Sequence, residues 1–492
     1  MPLLKKLEAL SFDNSYARLP GAFYESVHPT PFPNPFVVSV NRTAAELLDL
    51  DPGEFSRPEF AEYFCGARLL PGSQPVAMLY SGHQFGQYVS QLGDGRAILL
   101  GEVRNQQGKK WDLQLKGAGL TRFSRDGDGR AVLRSTIREY LCGEALHGLG
   151  IPTTRSLCII SGDETVYRET AEPGAMLVRL AQSHVRFGSF EVFYYRHQYD
   201  HLRQLADYVI GDHFPHLGDA DDRYARFLHE ISIRTGHLIA QWQAVGWAHG
   251  VVNTDNMSIL GLTLDYGPFG FMEAFNPGFI CNHSDHYGRY AFQNQPDIGY
   301  WNIRCLAQAL SPLMNPVEVA TAPDLYKAAM IERYADLMRA KMGLFEQHAH
   351  DDTLVTDLLR LLYEHQMDYT AFFRSLGEFQ LHSPGGPHVV GDPFLGRAGF
   401  HDWGKRYTER LHAENSQNET RKREMNRYNP TYVLRNHLAQ RAIDQAINDQ
   451  NYSEIDRLLT LFKDPYTEQA GMEDYAVPSP PGTAPVIVSC SS

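Results

Sequence analysis

Alternation with a period of two governs the first half of the chain, and spacing of three to four governs the second. Between residues 84 and 115 the alternation predicts strands at 87–92, 97–103 and 111–116, the first two joined by the tight turn Gly93-Asp94-Gly95-Arg96. In the third, Trp111, Leu113 and Leu115 share one face, and Asp112, Gln114 and Lys116 the other. A Gly-rich stretch, 117–129, leads into a helix over about 131–147, stopped by Gly148, Gly150 and Pro152. Glu139 lies on one face of that helix with Ser135, Cys142 and Leu146. Further strands are predicted at 156–160, 165–168 and 175–180. Beyond about residue 190 the pattern is helical, most clearly over 224–245, where Tyr224, Phe227, Leu228, Ile231, Leu238, Ile239 and Trp242 recur at helical spacing. More helices are predicted at 316–343, 352–376 and 430–448. Residues 1–75, with PTPFPNP at 29–35, favour extended wrapping structure and one short helix over 43–50. Residues 380–404 read as loop, 405–428 as a charged segment, and the Pro/Ser-rich run from Ala476 as a mobile tail.

Composition narrows the class. At 492 residues, 43% hydrophobic and 21% charged, this is an ordinary globular chain with room for several cores. A net charge of −13 argues against nucleic acid or an anionic membrane as partner. No run reaches the roughly 18 apolar residues of a membrane span, and the N-terminus is a poor export signal. The cysteines (65, 142, 158, 281, 305 and 490) form no CxxC pair, the pattern of a reducing compartment. A cytoplasmic protein is expected. With no coiled-coil heptads, it is expected to be a monomer.

Candidate chemistry concentrates in WAHGVVNTDNMSILGLTLDYGPFG at 247–270. Asn256 and Asp265, nine positions apart, suit two oxygen ligands for a hard cation, and the short apolar run 257–264 predicts a small buried hairpin between them. Protein kinases place a catalytic loop and an Asp-Phe-Gly metal turn in this order, but Val251 stands where their catalytic Asp would be. Lys116 on a strand and Glu139 in a helix could form a phosphate-gripping pair. Taken alone, each is better read as a solvated Lys and a helix-surface Glu; joined to the downstream loop, the functional reading prevails. Gly93, Gly95 and Arg96, like Asp128 and Gly129, sit in Gly-rich turns that are either plain turns or phosphate approaches, and neither has a P-loop ending. Arg179 and Arg186 flank the junction of the two halves, as phosphate ligands or as surface ion pairs. CNHSDH at 281–286 fits no common zinc spacing.

Together these segments resemble the selenoprotein O family, kinase-like proteins that transfer AMP to protein hydroxyls. The matching blocks run over most of the chain: GHQFG at 82–86, QLGDGRA at 91–97, LQLKGAG at 113–119, STIREYL at 135–141, HGVVNTDNMSI at 249–259, LDYGPFGF at 264–271 and NRYNPTYVLRN at 426–436. The resemblance implies an α+β, two-lobed protein-kinase-like fold. Its parts are an N-terminal extension (1–75), an N-lobe (76–185), a helical C-lobe (186–405) and a C-terminal extension (406–492). It implies ATP bound in an inverted sense, contacted by Gly93, Gly95, Arg96, Lys116, Asp128, Gly129, Arg179, Arg186 and Asp265. Glu139 holds Lys116, Asn256 and Asp265 hold Mg²⁺ or Mn²⁺, and Asp255 accepts the proton of a Tyr, Ser or Thr hydroxyl on a protein substrate. Where family members carry selenocysteine third from the C-terminus, this chain has Cys490, and a regulatory Cys281–Cys490 disulfide is a further expectation. A conventional phosphotransferase and a non-catalytic nucleotide-binding regulator remain the alternatives.

Overall fold

The computed structural model describes residues 4–218, 220–381, 399–480 and 486–488, with the backbone alone of His388 and Val389. Its centre is an antiparallel sheet in the order Tyr24–Ser26, Val76–Met78, Ala97–Arg104, Lys110–Lys116, Ala171–Ala181, Arg155–Tyr167 and Phe36–Val40; the short strand Ala131–Val132 also pairs with Ala171–Ala181. Alternation along the strands sends side chains into two cores. Ile98, Leu100, Leu113, Leu115 and Val178 face the N-terminal segment, packing with Leu7, Phe60 and Phe64. Each such fully buried side chain contributes about 2 kcal/mol of hydrophobic stabilisation. Leu99, Ile159 and Leu177 face the other way, against Leu133, Ile137 and Leu141 of the helix Leu133–Gly148. Lys116 is on this second side, as the strand pattern predicts, but with Asp112 and Gln114 it is buried, not solvated. N-terminal residues Leu7, Leu48, Phe60 and Phe64 are part of the core on one face of this sheet.

The second half is helical. Arg223–Val245, Gln295–Leu310 and Pro316–Lys341 pack together around Ile239, Ile303, Leu306 and Tyr326. Asn315 and Glu318 form a reciprocal capping box at the start of the third. The helices Asn436–Asn448 and Ser453–Leu461 return to pack on Leu133–Gly148, the helix that carries Glu139. Among the described residues no helix is long and apolar enough to cross a membrane.

Four elements differ from the sequence pattern. The 87–92 run does not pair across the Gly93–Arg96 turn; Gln87–Val89 pairs instead with Gly82–Gln84. Phe85 (φ 49°) and Gly86 (φ 81°) both take the left-handed conformation of a two-residue hairpin turn whose twist suits antiparallel strands. The hairpin over 257–264 is absent: Phe187 N–H donates to Met257 O at 2.9 Å, Ile259 N–H donates to Val185 O at 3.1 Å, and Thr263 bridges to Thr153. This apolar run finds its backbone partners in neighbouring segments. The 352–376 helix is two, Asp351–Glu364 and Tyr369–Leu376, broken where Gln366 turns left-handed (φ 50°) and Asp368 caps the second through Ala371 N–H. The strands at 156–160 and 165–168 are one, Arg155–Tyr167.

Candidate active site

Between the sheet and the helical half lies a cavity of about 730 Å³, walled by both Gly-rich turns, the end of the strand Lys110–Lys116, and the loop that follows Ala248. A chain of charged groups crosses it. Lys116 Nζ pairs with Glu139 Oε2, and Arg179 Nε donates to Glu139 Oε1 at 2.5 Å. Arg179 also reaches Asp265 Oδ1 at 3.0 Å and Gln114 Oε1 at 3.2 Å. Arg186 pairs with the other oxygen of Asp265 and donates to the backbone oxygen of Asp255 at 2.7 Å. Two arginines therefore tie the helix carboxylate, the Asp-Tyr-Gly turn and the Asp255 loop together. Burial works against the charge on Glu139, but Arg179 and Lys116 outweigh it and hold the carboxyl at about 2. Burial pushes the Lys116 ammonium down, with Glu139 opposing.

Asp255 sits in the short turn Thr254–Asn256 and is buried. Burial raises its pKa to about 6, against the pull of Gln84, whose side-chain amide donates to Oδ2 at 3.0 Å. Its Oδ1 has no hydrogen-bond partner among the described residues. An ionisable oxygen kept dry and unpaired is poised to take a proton. Asn256 spends its amide nitrogen on Val251 O at 2.9 Å, which leaves the amide oxygen as the atom that could hold a cation. Asp265 is held left-handed (φ 58°), a backbone conformation that costs a non-glycine residue free energy.

The glycine turns are shaped for close approach. A Cβ on Gly93 (φ 121°) would lie 2.6 Å from the Phe123 ring, and one on Gly129 (φ 72°) 2.2 Å from Gly119 carbon. Arg96 lines the same cavity, and among the described residues no carboxylate pairs with it. Asp128 instead turns to the rim, held below the usual carboxylate range by Arg168, whose Nη1 lies 2.6 Å from its Oδ2.

A protein-family model described as "Protein adenylyltransferase SelO" matches residues 6–463. The chain belongs to the SelO family. Its relatives include the "Protein nucleotidyltransferase YdiU" of Myxococcus xanthus, 57% identical over 486 residues and covering 99% of both chains. That of Thiobacillus denitrificans is 53% identical over 488 residues, again 99% of both. That of Yersinia pestis is 48% identical over 484, covering 98% of this chain and 99% of its own. By family, then, the chain is a nucleotidyltransferase.

Every cavity residue expected from the SelO resemblance, namely Gly93, Gly95, Arg96, Lys116, Asp128, Gly129, Arg179, Arg186, Asp255, Asn256 and Asp265, lines this one space, with Glu139 directly behind Lys116. Cys281 is buried elsewhere, its Sγ 3.6 Å from Ala248 O. Cys490 lies outside the described residues. Sequence reasoning missed Gln84, Asn253 and Tyr80. Asn253 Oδ1 accepts from Phe85 N–H at 3.2 Å and from the Tyr290 hydroxyl, and the Tyr80 ring lies 4.6 Å under the Arg186 guanidinium. Gln84 stood inside a quoted block, GHQFG, yet nothing local connects it to an aspartate 171 residues away.

Proposed function

We propose that this chain is a protein adenylyltransferase that moves AMP from ATP to Tyr, Ser or Thr hydroxyls of proteins and releases pyrophosphate. One observation carries the reading: Asp255, with one unpaired carboxylate oxygen and a pKa raised to about 6, opens on the cavity that holds Arg96, Lys116 and Arg179. The acceptor oxygen attacks the α-phosphorus, the bond from that phosphorus to the bridging oxygen of pyrophosphate breaks, and the hydroxyl proton passes to the Asp255 carboxylate. Lys116 and the three arginines offset charge on the phosphates as it redistributes.

Asn256 and Asp265 present the hard oxygen donors that Mg²⁺ or Mn²⁺ requires, and such an ion would supply further neutralisation of phosphate charge. Both Asp265 oxygens are engaged by Arg179 and Arg186. Phosphates are the groups that would draw those guanidiniums away, and each carboxylate oxygen keeps a second lone pair.

In this reading the fold is kinase-like and two-lobed, with lobes at 76–185 and 186–405 and extensions at 1–75 and 406–492. The Lys116–Glu139 pair and the placement of the cavity between sheet and helices support it. It also makes the protein cytoplasmic and monomeric, with no nucleic-acid or membrane partner. A Cys281–Cys490 redox pair belongs to the same proposal, supported by the hydrogen bond that the N–H of His283, two residues after Cys281, donates to tail residue Val488 O at 2.8 Å.

The test is transfer from ATP labelled at the α- or the γ-phosphate, with Asp265→Ala beside the parent. Protein labelled only from α-labelled ATP, and not by the variant, is expected. Label only from the γ-position would make the chain a phosphotransferase, and nucleotide binding without transfer would make it a regulator.

A further inference from the structure

Behind the Asp255 loop, and outside the cavity, three side chains from three separate elements converge. They are His83 of the Gly82–Gln84 strand, Glu191 of the helix Phe187–Tyr195, and Cys305 of the helix Gln295–Leu310. One ligand atom from each lies within 4.8 Å of the other two. His83 Nδ1 is 2.8 Å from Glu191 Oε1; the glutamate side chain is fully buried and that of His83 11% exposed. We propose that His83, Glu191 and Cys305 form a binding site for a zinc-class divalent cation.

Imidazole, carboxylate and thiolate form a donor set that zinc accepts and that Mg²⁺ or Mn²⁺ does not favour, because sulfur is too soft a ligand for them. At metal–ligand distances of about 2.0–2.3 Å, neighbouring donors of a tetrahedral ion stand roughly 3.2–3.8 Å apart, so closing the site asks about 1 Å of side-chain movement. Three protein ligands leave a fourth position for water. The shell around them is built to orient them. Thr254 Oγ1 donates to Glu191 Oε2 at 2.7 Å, fixing the carboxylate. Trp301, one helical turn before Cys305, meets the His83 ring edge-on at 5.1 Å, and Tyr88 and Tyr195 pack at 5.3 and 5.8 Å. Burial keeps Cys305 a thiol, so binding releases its proton to solvent.

The location gives the site a consequence. His83 N–H donates to Thr254 Oγ1 at 2.7 Å, Gln84 is the next residue and holds Asp255, and Thr254 precedes Asp255. A cation here pins the Gly82–Gln84 strand against both helices and so stiffens the support of the Asp255 carboxylate. The signal was invisible in sequence because the three ligands are spread over more than two hundred positions with no motif.

The decisive experiment titrates Co²⁺ into reduced, chelator-treated full-length protein, both the parent and Asp265→Ala, which removes the all-oxygen cation site. A near-ultraviolet thiolate-to-cobalt charge-transfer band that saturates at one equivalent in both proteins, and that Zn²⁺ displaces, is expected. Cys305→Ser should lose the band while keeping its melting temperature. On unmutated protein, Zn²⁺ should slow iodoacetamide alkylation of Cys305, read by peptide mass spectrometry, about tenfold or more. Absence of the band from folded parent protein, its survival in Cys305→Ser, or alkylation of Cys305 indifferent to zinc would each overturn the site.

Discussion

Gln84 donates its side-chain amide to Asp255 Oδ2 at 3.0 Å, while Oδ1 of the same carboxylate is left without a partner among the described residues. Burial drives the Asp255 pKa up to about 6, and the Gln84 hydrogen bond is the largest influence holding it down. Replacing the amide by an apolar group of similar size, Gln84→Leu, removes that restraint. In the proposed reaction Asp255 is the base and acts ionised, so the acid limb of kcat against pH for AMP transfer should move upward by about one unit, with the plateau above pH 8 much less affected. An unmoved limb would mean that Asp255 is not the group titrating.

Glu139 faces two cations, and the stability of its variants should reflect that asymmetry. In Lys116→Met the carboxylate keeps Arg179 at 2.5 Å. In Glu139→Gln, Lys116 loses its buried counter-charge and Arg179 keeps only Asp265 at 3.0 Å, which costs about 3–5 kcal/mol for a broken buried pair. Urea unfolding should therefore rank Glu139→Gln well below Lys116→Met, although both lose nucleotide affinity. The folded carboxyl lies at about 2 against an ordinary 4.5, so its contribution is present above pH 4.5 and fades as pH falls toward 2. The gap between Glu139→Gln and the parent should narrow over that window. Equal stabilities of the two variants at pH 7 would contradict the shared-anion arrangement.

How much of this was legible follows from the range of the interactions. The strand pattern put Lys116 opposite Leu113 and Leu115, and the helix stop at Gly148 and Gly150 is where the helix ends, because alternation and capping are local. The Gly82–Val89 hairpin was missed because Phe85 occupies a left-handed position usually taken by Asn or Gly. The 257–264 run failed as a hairpin because its backbone hydrogen bonds go to Val185 and Phe187 and to Pro152 and Thr154, partners that only the tertiary fold supplies. Within the site, residues inside the long family blocks could be carried over one by one. The contacts that tune them, Gln84 on Asp255 and Arg179 between Glu139 and Asp265, join positions far apart in the chain and have no sequence signature.

Asp255→Asn should trade function for stability. If Asp255 is the base, as proposed, AMP transfer should fall by about 10²–10⁴ while nucleotide binding persists. The folded pKa of about 6 is raised above the ordinary 3.8, so Asp255's contribution to stability is fully present below pH 3.8 and is lost as pH rises through 6. The uncharged asparagine avoids that loss. Unfolding measured at pH 8 should show the variant more stable by up to about 3 kcal/mol, the advantage shrinking to nothing near pH 4. A variant no more stable at pH 8 would show that the carboxylate is not buried at a cost.

The C-terminal helices hold the Glu139 helix through a contact that tolerates no added atom. A Cβ on Gly148 would lie 1.9 Å from Phe462 O and 3.3 Å from Pro465 Cδ. The first of these neighbours is backbone, so no rotamer change can relieve the clash, and either the helix Leu133–Gly148 or the segment after Leu461 must shift. Gly148→Ala should cost about 1–3 kcal/mol in urea unfolding, and it should weaken nucleotide binding, since the helix that shifts positions Glu139 against Lys116. Gly211→Ala is the control. It lies inside the helix Tyr199–His213, a Cβ there meets nothing within 4 Å, and removing a helical glycine should be neutral or stabilise by up to about 1 kcal/mol. If both substitutions behaved alike, the C-terminal segment would not be the prop for this helix that its packing describes.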